Sequence, residues 1–178
     1  LINKKSYDTN ILPQVIKLSC NSKPIDYQRK KIIPQAKGVV LEIGIGPGSN
    51  LKHYQQNKVE KIIGVDPSTE LNKIAIKRAE KYNLDIEFLV ESADNLSVPD
   101  NSIDTVVSTY ALCSIPNPSM TLKEIYRVLK PTGRFLFSEH GLAPDASVSI
   151  IQNGIDFFYP KIAGGCHVNR NIESLLIE

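Results

Sequence analysis

No CxxC pair occurs in this sequence, and its three cysteines, Cys20, Cys113 and Cys166, are odd in number and far apart. That spacing points away from a disulfide framework or a zinc knuckle and fits a reducing cytosol. There is no apolar run near the roughly 18 residues needed to span a bilayer, and the N-terminus lacks the charged start, apolar stretch and cleavage site of a signal peptide. A cytoplasmic location is the expectation. Charge of one sign is missing too. With 21 Lys and Arg against 19 Asp and Glu, the formal net charge is +2 and no basic tract stands out, so nucleic acid is not an expected partner. Internal repeats and low-complexity linkers are also absent. What is present, 178 residues of which 42% are hydrophobic, suits a single globular domain over 1–178 with a real core.

Short β-branched runs alternate with longer helical patterns. GVVLEI (38–43), KIIGVD (61–66), DIEFLV (85–90), SIDTVVS (102–108) and GRFLFSE (133–139) read as strands apolar enough to be buried on both faces. SNLKHYQQ (49–56), STELNKIAIKRAEKY (68–82) and NPSMTLKEIYRVLK (117–130) read as helices, the last with Pro118 in its first turn and Pro131 closing its end. This order predicts an α/β fold, a three-layer, doubly wound, mostly parallel sheet. Ahead of it, residues 8–37 place Ile11, Leu12, Val15, Ile16 and Leu18 at helical spacing, then Arg29, Lys30 and Lys31. Residues 1–37 are expected to form a helical segment that packs on the sheet and also lids the crevice at the strands' carboxyl ends. Residues 38–140 form the core of this reading, and 141–178 a C-terminal helical segment.

The glycines of LEIGIGPGSN fall as Gly44, Gly46 and Gly48, a GxGxG spacing rather than the GxGxxG that precedes a bound pyrophosphate, and no P-loop lysine follows. Phosphate binding is therefore not required. Glu42 sets a carboxylate beside the loop, where it would repel phosphate but could order loop amides or favour a cationic sulfonium or ammonium. Asp66 ends the second strand about 20 residues on, the place where a carboxylate accepts hydrogen bonds from ribose hydroxyls. The expected ligand has a ribose and no phosphate.

VVLEIGIGPGSN, VDPS, ESADNLSVPDNSIDTVVS and EIYRVLKPTGRFLFSEH, in this order over residues 38–140, resemble the motifs of the class I S-adenosylmethionine-dependent methyltransferases. YDTNILP, KPIDYQRKKIIPQAKG, STYALCSIPNP, SEHG and AGGCHVNRNIESLLIE are similar to a bacterial subgroup of the ubiquinone/menaquinone-biosynthesis-like group, itself similar to animal proteins that methylate small alkyl thiols. The resemblance implies a Rossmann-like methyltransferase fold, S-adenosylmethionine as cofactor with S-adenosylhomocysteine as product, and a thiol, quinone-like molecule or lipid headgroup as acceptor. Carried over, it assigns the loop from Ile43 through Gly44 and Gly46 to the methionine moiety, with Glu42 beneath and Gly48 in the same turn. Asn50 would help cap the first helix. Asp66 would take the ribose diol, Pro67 and Ser68 would lie beside the adenine, and Ser92 and Ala93 would reach its polar edge. Many relatives have an acid where Ser92 stands, so a hydroxyl or backbone contact must serve there. Thr109 and Tyr110 would meet the methionine end and the reacting face.

Methyl transfer from a sulfonium is an in-line displacement with a good leaving group, so a dedicated base is optional. Tyr110, His140 and His167 are the candidate catalytic side chains. Cys113 reads first as a small buried residue, and Cys166 with His167 lacks the further ligands a metal would need, so no metal is expected. The family normally ends in an antiparallel hairpin after the fifth strand. NIESLLIE instead reads as helix, which would leave GRFLFSE as an edge that a second copy could cover. Two other functions share the fold, a noncatalytic S-adenosylmethionine-binding protein and, with less support from the glycine spacing, a nicotinamide-dependent reductase.

Overall fold

Runs of Val, Ile and Leu without polar alternation must be covered on both faces, and the chain achieves this by pairing five of them in parallel. The computed structural model describes Ile11 and residues 22–177. Strands β1 (Gly38–Ile43), β2 (Val59–Val65), β3 (Ile86–Leu89), β4 (Ile103–Thr109) and β5 (Leu129–Ser138) form one sheet in the order β3-β2-β1-β4-β5. Every neighbouring pair is parallel. The helices are α1 (Lys23–Ile32), α2 (Thr69–Tyr82), α3 (Pro118–Val128), α4 (Ala146–Asp156), α5 (Tyr159–Ile162) and α6 (Ile172–Ile177). Alternate residues of the central strands feed two separate cores. Leu41, Ile43 and Val106 pack with Ile125 and Val128 of α3, whereas Val40, Ile62 and Val107 pack with Ile33, Leu51 and Ala79. Three layers result. The order reverses direction between β1 and β4, and a ligand crevice opens beyond the carboxyl ends of those two strands.

Local chemistry sets the helix ends. Ser68 caps α2 by accepting the Leu71 amide at 3.3 Å, and Asn83 ends it in the left-handed region at φ 49°. α3 begins on Pro118 and buries Thr121, Ile125 and Val128, one stripe at helical spacing.

Three expectations need correction. Residues 49–56 do not form a helix; only Leu51–His53 makes a single 3₁₀ turn. The chain extends at Tyr54 because that side chain turns inward to bond Glu42. A Cβ on Gly48 would sit 2.6 Å from Leu51 and 3.2 Å from Ala75, so the loop packs directly on α2. β5 starts four residues earlier than the apolar run suggests, because Leu129 pairs with Ile103 and the ladder resumes only at Thr105 and Arg134. The helix expected over 117–130 therefore ends at Val128, and Pro131 stands inside β5 instead of closing the helix. Of the N-terminal lid expected over residues 1–37, residues 1–10 and 12–21 lie outside the described residues, while α1 is described and carries Arg29 inward. No strand follows β5 among the described residues, and α4, α5 and α6 take up the C-terminal segment. No described helix is long and apolar enough to cross a membrane.

Candidate active site

The turn after β1 is held from two sides. Gly44 has φ 63°, and a Cβ there would lie 2.5 Å from the Ala111 Cβ, so only glycine lets the β1 and β4 ends come this close. Asp66, at the end of β2, accepts the Gly46 amide on Oδ2 at 2.9 Å and the Ser68 amide on Oδ1 at 2.8 Å. Burial pushes its pKa up, and the two amides oppose this. A carboxylate has about four lone-pair sites, so Asp66 keeps acceptor capacity for a ligand.

Beneath the turn lies a buried polar network. Glu42 accepts the Tyr54 hydroxyl at 2.7 Å and the Asn50 amide at 2.9 Å. Its pKa rises to about 7, with burial the leading cause and the Tyr54 bond, Arg29 and Asn50 opposing. Asn50 also donates to the Thr109 hydroxyl at 2.9 Å and accepts from Arg29 Nη1 at 2.6 Å. It caps nothing: its side chain makes no cap bond. Arg29 further donates to Thr109, and its guanidinium lies 5.2 Å from the Tyr110 ring centroid. Its Nε is buried with no partner.

Above this network opens a cavity of about 360 Å³. Of the residues singled out from sequence, Gly44, Gly46, Asp66, Pro67, Ser68, Ser92, Ala93, Thr109, Tyr110 and His140 line it. Glu42, Ile43, Gly48 and Asn50 are buried and do not line it. His167 is a correction as a catalytic candidate: its Nδ1 lies 2.8 Å from Asp156 on α4, and it does not line the cavity.

Tyr110 takes a left-handed φ of 56°, unusual for a bulky side chain. Its amide donates to the Ser138 carbonyl at 2.8 Å, and its ring tilts against His140 with centroids 4.7 Å apart. The brace for this turn is Glu139, the last residue of the apolar run GRFLFSE. It accepts the Ser108 hydroxyl at 2.7 Å and the amides of Ala111 and Cys113 at 3.1 and 3.4 Å. Glu139 thus does for the turn after β4 what Glu42 does for the turn after β1.

The far wall comes from the C-terminal segment. The His167 amide donates to the Cys113 carbonyl at 2.9 Å. Arg170 Nη1 donates to the carbonyls of Leu112 and Ile115, the latter at 2.7 Å. These bonds bring Cys166 Sγ to 3.4 Å from Cys113 Sγ and 3.8 Å from His140 Nδ1, all three residues facing the cavity. The Cys166 thiol donates to the Cys113 sulfur; the contact between the two holds Cys113 above the ordinary thiol range, and Cys166 is lowered by that contact and by His140. Arg29, Glu139 and the meeting of two cysteines with His140 have no local signature. Their partners lie 21 to 80 residues away for Arg29 and 53 residues away for the cysteine pair.

A methyltransferase domain model matches residues 41–137. The chain is 36% identical over 141 residues to human thiol S-methyltransferase TMT1A, covering 77% of this chain and 57% of that protein. It is 32% identical over 160 residues to rat thiol S-methyltransferase TMT1B, covering 83% and 65%. The chain thus spans about three fifths of the length of these relatives. It is also similar to the structure of YcgJ from Bacillus subtilis, with a TM-score of 0.70 and 24% identity over 85% of this chain and 63% of that one. The matched stretch runs from inside β1 into β5, so it is the sheet and its crevice that carry the likeness, and the chain belongs to the class I S-adenosylmethionine-dependent methyltransferases.

Proposed function

We propose that this protein transfers the methyl group of S-adenosylmethionine to a small thiol. One observation carries the reading: Asp66 is the only carboxylate among the described residues that line the cavity, and two backbone amides already hold it. A carbon acid or protonated amine would need a free base to accept its proton, and His140, the other candidate base in the lining, already faces the Cys166 thiol at 3.8 Å and the Tyr110 ring; a thiol, with a pKa near about 8.5, ionises with modest help. The relatives named as thiol S-methyltransferases support the same acceptor.

In this reading Asp66 accepts the ribose hydroxyls and Pro67 and Ser68 flank the adenine. Ser92 donates its hydroxyl to Asp94, which leaves its lone pairs to accept the adenine amino group in place of the usual acid. Ala93 lies at the same edge. The methionine moiety lies along Gly44 and Gly46, and Arg29, which lines the cavity, offers the positive charge for its carboxylate. Thr109 and Tyr110 wall the methyl group. The acceptor thiolate attacks that carbon in line; the new carbon–sulfur bond forms as the sulfonium bond breaks, its electron pair staying on the sulfur of S-adenosylhomocysteine. The protein's share is alignment and exclusion of water.

The test offers labelled S-adenosylmethionine with a short alkyl thiol, a quinol and an ethanolamine phospholipid in parallel. Label should pass to the thiol alone, and Asp66→Ala should weaken cofactor binding at least tenfold by calorimetry. Transfer to the quinol or lipid in preference to the thiol overturns the acceptor. Cofactor binding without transfer to any of them would make this a noncatalytic binder.

A further inference from the structure

We propose that Cys113, His140 and Cys166 form a binding site for a thiophilic divalent cation of the Zn²⁺ type, its fourth position open to the cavity. The donors come from three loops, after β4, after β5 and after α5, and their ligand atoms all lie within 4.8 Å of one another. A tetrahedral zinc ion with bonds of about 2.3 Å to sulfur and about 2.1 Å to nitrogen spaces its donors about 3.5–3.8 Å apart. The sulfurs here are 3.4 Å apart and the Cys166 sulfur is 3.8 Å from His140 Nδ1, so shifts of a few tenths of an ångström admit an ion to these two edges.

The donor set is selective. Two thiolates and an imidazole prefer zinc or copper to magnesium or calcium. Two thiolates also neutralise a divalent charge, so the filled site adds no net charge to a buried place. Its frame does not depend on the cysteine side chains. Glu139 fixes the Cys113 amide, the His167 amide fixes the Cys113 carbonyl, and Arg170 ties the turn after β4 to the C-terminal segment. Three protein ligands and an open face describe a catalytic rather than a structural zinc site. The open face is the cavity, which Cys113, Cys166 and His140 all line.

The role follows from that opening and rests on the thiol reading above, although the metal site itself does not. An acceptor thiol entering the fourth position loses its proton to solvent and is held as a thiolate. Its sulfur pair attacks the methyl carbon, the sulfonium bond breaks toward S-adenosylhomocysteine, and the neutral thioether, a poorer ligand, leaves.

The test titrates the reduced protein anaerobically with Co²⁺ as a spectroscopic probe. The expected result is one Co²⁺ per chain with a thiolate-to-cobalt charge-transfer band and the intense visible bands of a tetrahedral site, both abolished by added Zn²⁺. Cys166→Ser should remove the charge-transfer intensity contributed by its sulfur, and His140→Ala should weaken binding at least tenfold, with circular dichroism confirming that each variant folds. Should a variant not fold, protection in the unaltered protein decides: Zn²⁺ should slow alkylation of Cys113 and Cys166 at least tenfold. Absence of a thiolate band, or alkylation at the same rate with and without Zn²⁺, overturns the site. Adding ethanethiol to the Co²⁺ form should shift the visible bands. An unshifted spectrum overturns the acceptor role alone, and a shifted spectrum without methyl transfer to thiols removes the thiol reading while leaving the metal site standing.

Discussion

Glu42 is a carboxylate cut off from water beneath the ligand turn, and its titration makes a sharp test of the network around it. Unfolded, it has the ordinary value of 4.5; folded, it titrates at about 7 because burial disfavours its charge. Between those values the folded chain binds more protons than the unfolded one, so stability falls as pH rises from below 4.5 through 7. The loss is on the order of 3 kcal/mol for a shift of this size. Glu42→Gln should flatten this dependence, since its oxygen can accept from Asn50 and its amide can donate to the Tyr54 oxygen. Urea midpoints from pH 5 to 8 check it: the parent should lose stability across that range faster than the variant. Asp66 and Glu139 are raised by burial in the same direction, but both remain in the variant, so the difference belongs to Glu42. Equal slopes would mean that Glu42 is charged in the fold.

At the scale of elements, the turn after β1 is where sequence and tertiary structure meet. Gly44→Ala forces a Cβ to 2.5 Å from Ala111 in a left-handed conformation, a strain of about 1–3 kcal/mol. The variant should fold with a lowered melting temperature, yet bind S-adenosylhomocysteine at least tenfold more weakly because the β1 and β4 turns must part. Unchanged affinity by calorimetry would show that the close approach has no part in binding. The strands were readable because Val and Ile runs have no other stable use than a doubly covered sheet, and β1 falls on residues 38–43 as expected. α2 was readable because Ser68 and Asn83 stop it at both ends. The helix expected over residues 49–56 fails because one long-range bond, Tyr54 to Glu42, outweighs its local pattern. Arg29 read as part of a polar stretch, and only α1 packed over the crevice makes it a buried donor. Asp66, by contrast, was legible because its place at the end of β2 is set by the chain itself.

For the whole molecule, the outer strand and the crevice lead to separate expectations. Among the described residues β5 pairs on one side only, none of its residues is fully buried, and Phe137 is 39% exposed. Pro131 and Arg134 blunt part of this edge, as such residues do, which leaves residues 135–138 open. Ile150, Ile151, Phe157 and Phe158 are each more than 60% exposed as well, and apolar surface of this kind favours association. Sedimentation should therefore show concentration-dependent self-association through a second copy; a monomer at every concentration would end that expectation. The crevice binds the molecule together in another way. Its lining runs from Arg29 to Cys166, across α1, the turns after all five strands and the loop after α5, so no fragment of the chain holds a complete site. A cofactor that recognises only the assembled crevice stabilises the whole fold by mass action, about 2.7 kcal/mol when present at 100 times its dissociation constant. For a chain of this size that raises the melting temperature by roughly 5–10 °C. Hydrogen exchange should slow at once in the turn at residues 44–50 and in the distant segment at 163–170, because both wall the same cavity. Protection confined to the first of these would mean that the C-terminal segment is not part of the site, and the acceptor wall drawn from Cys166 would have to be given up.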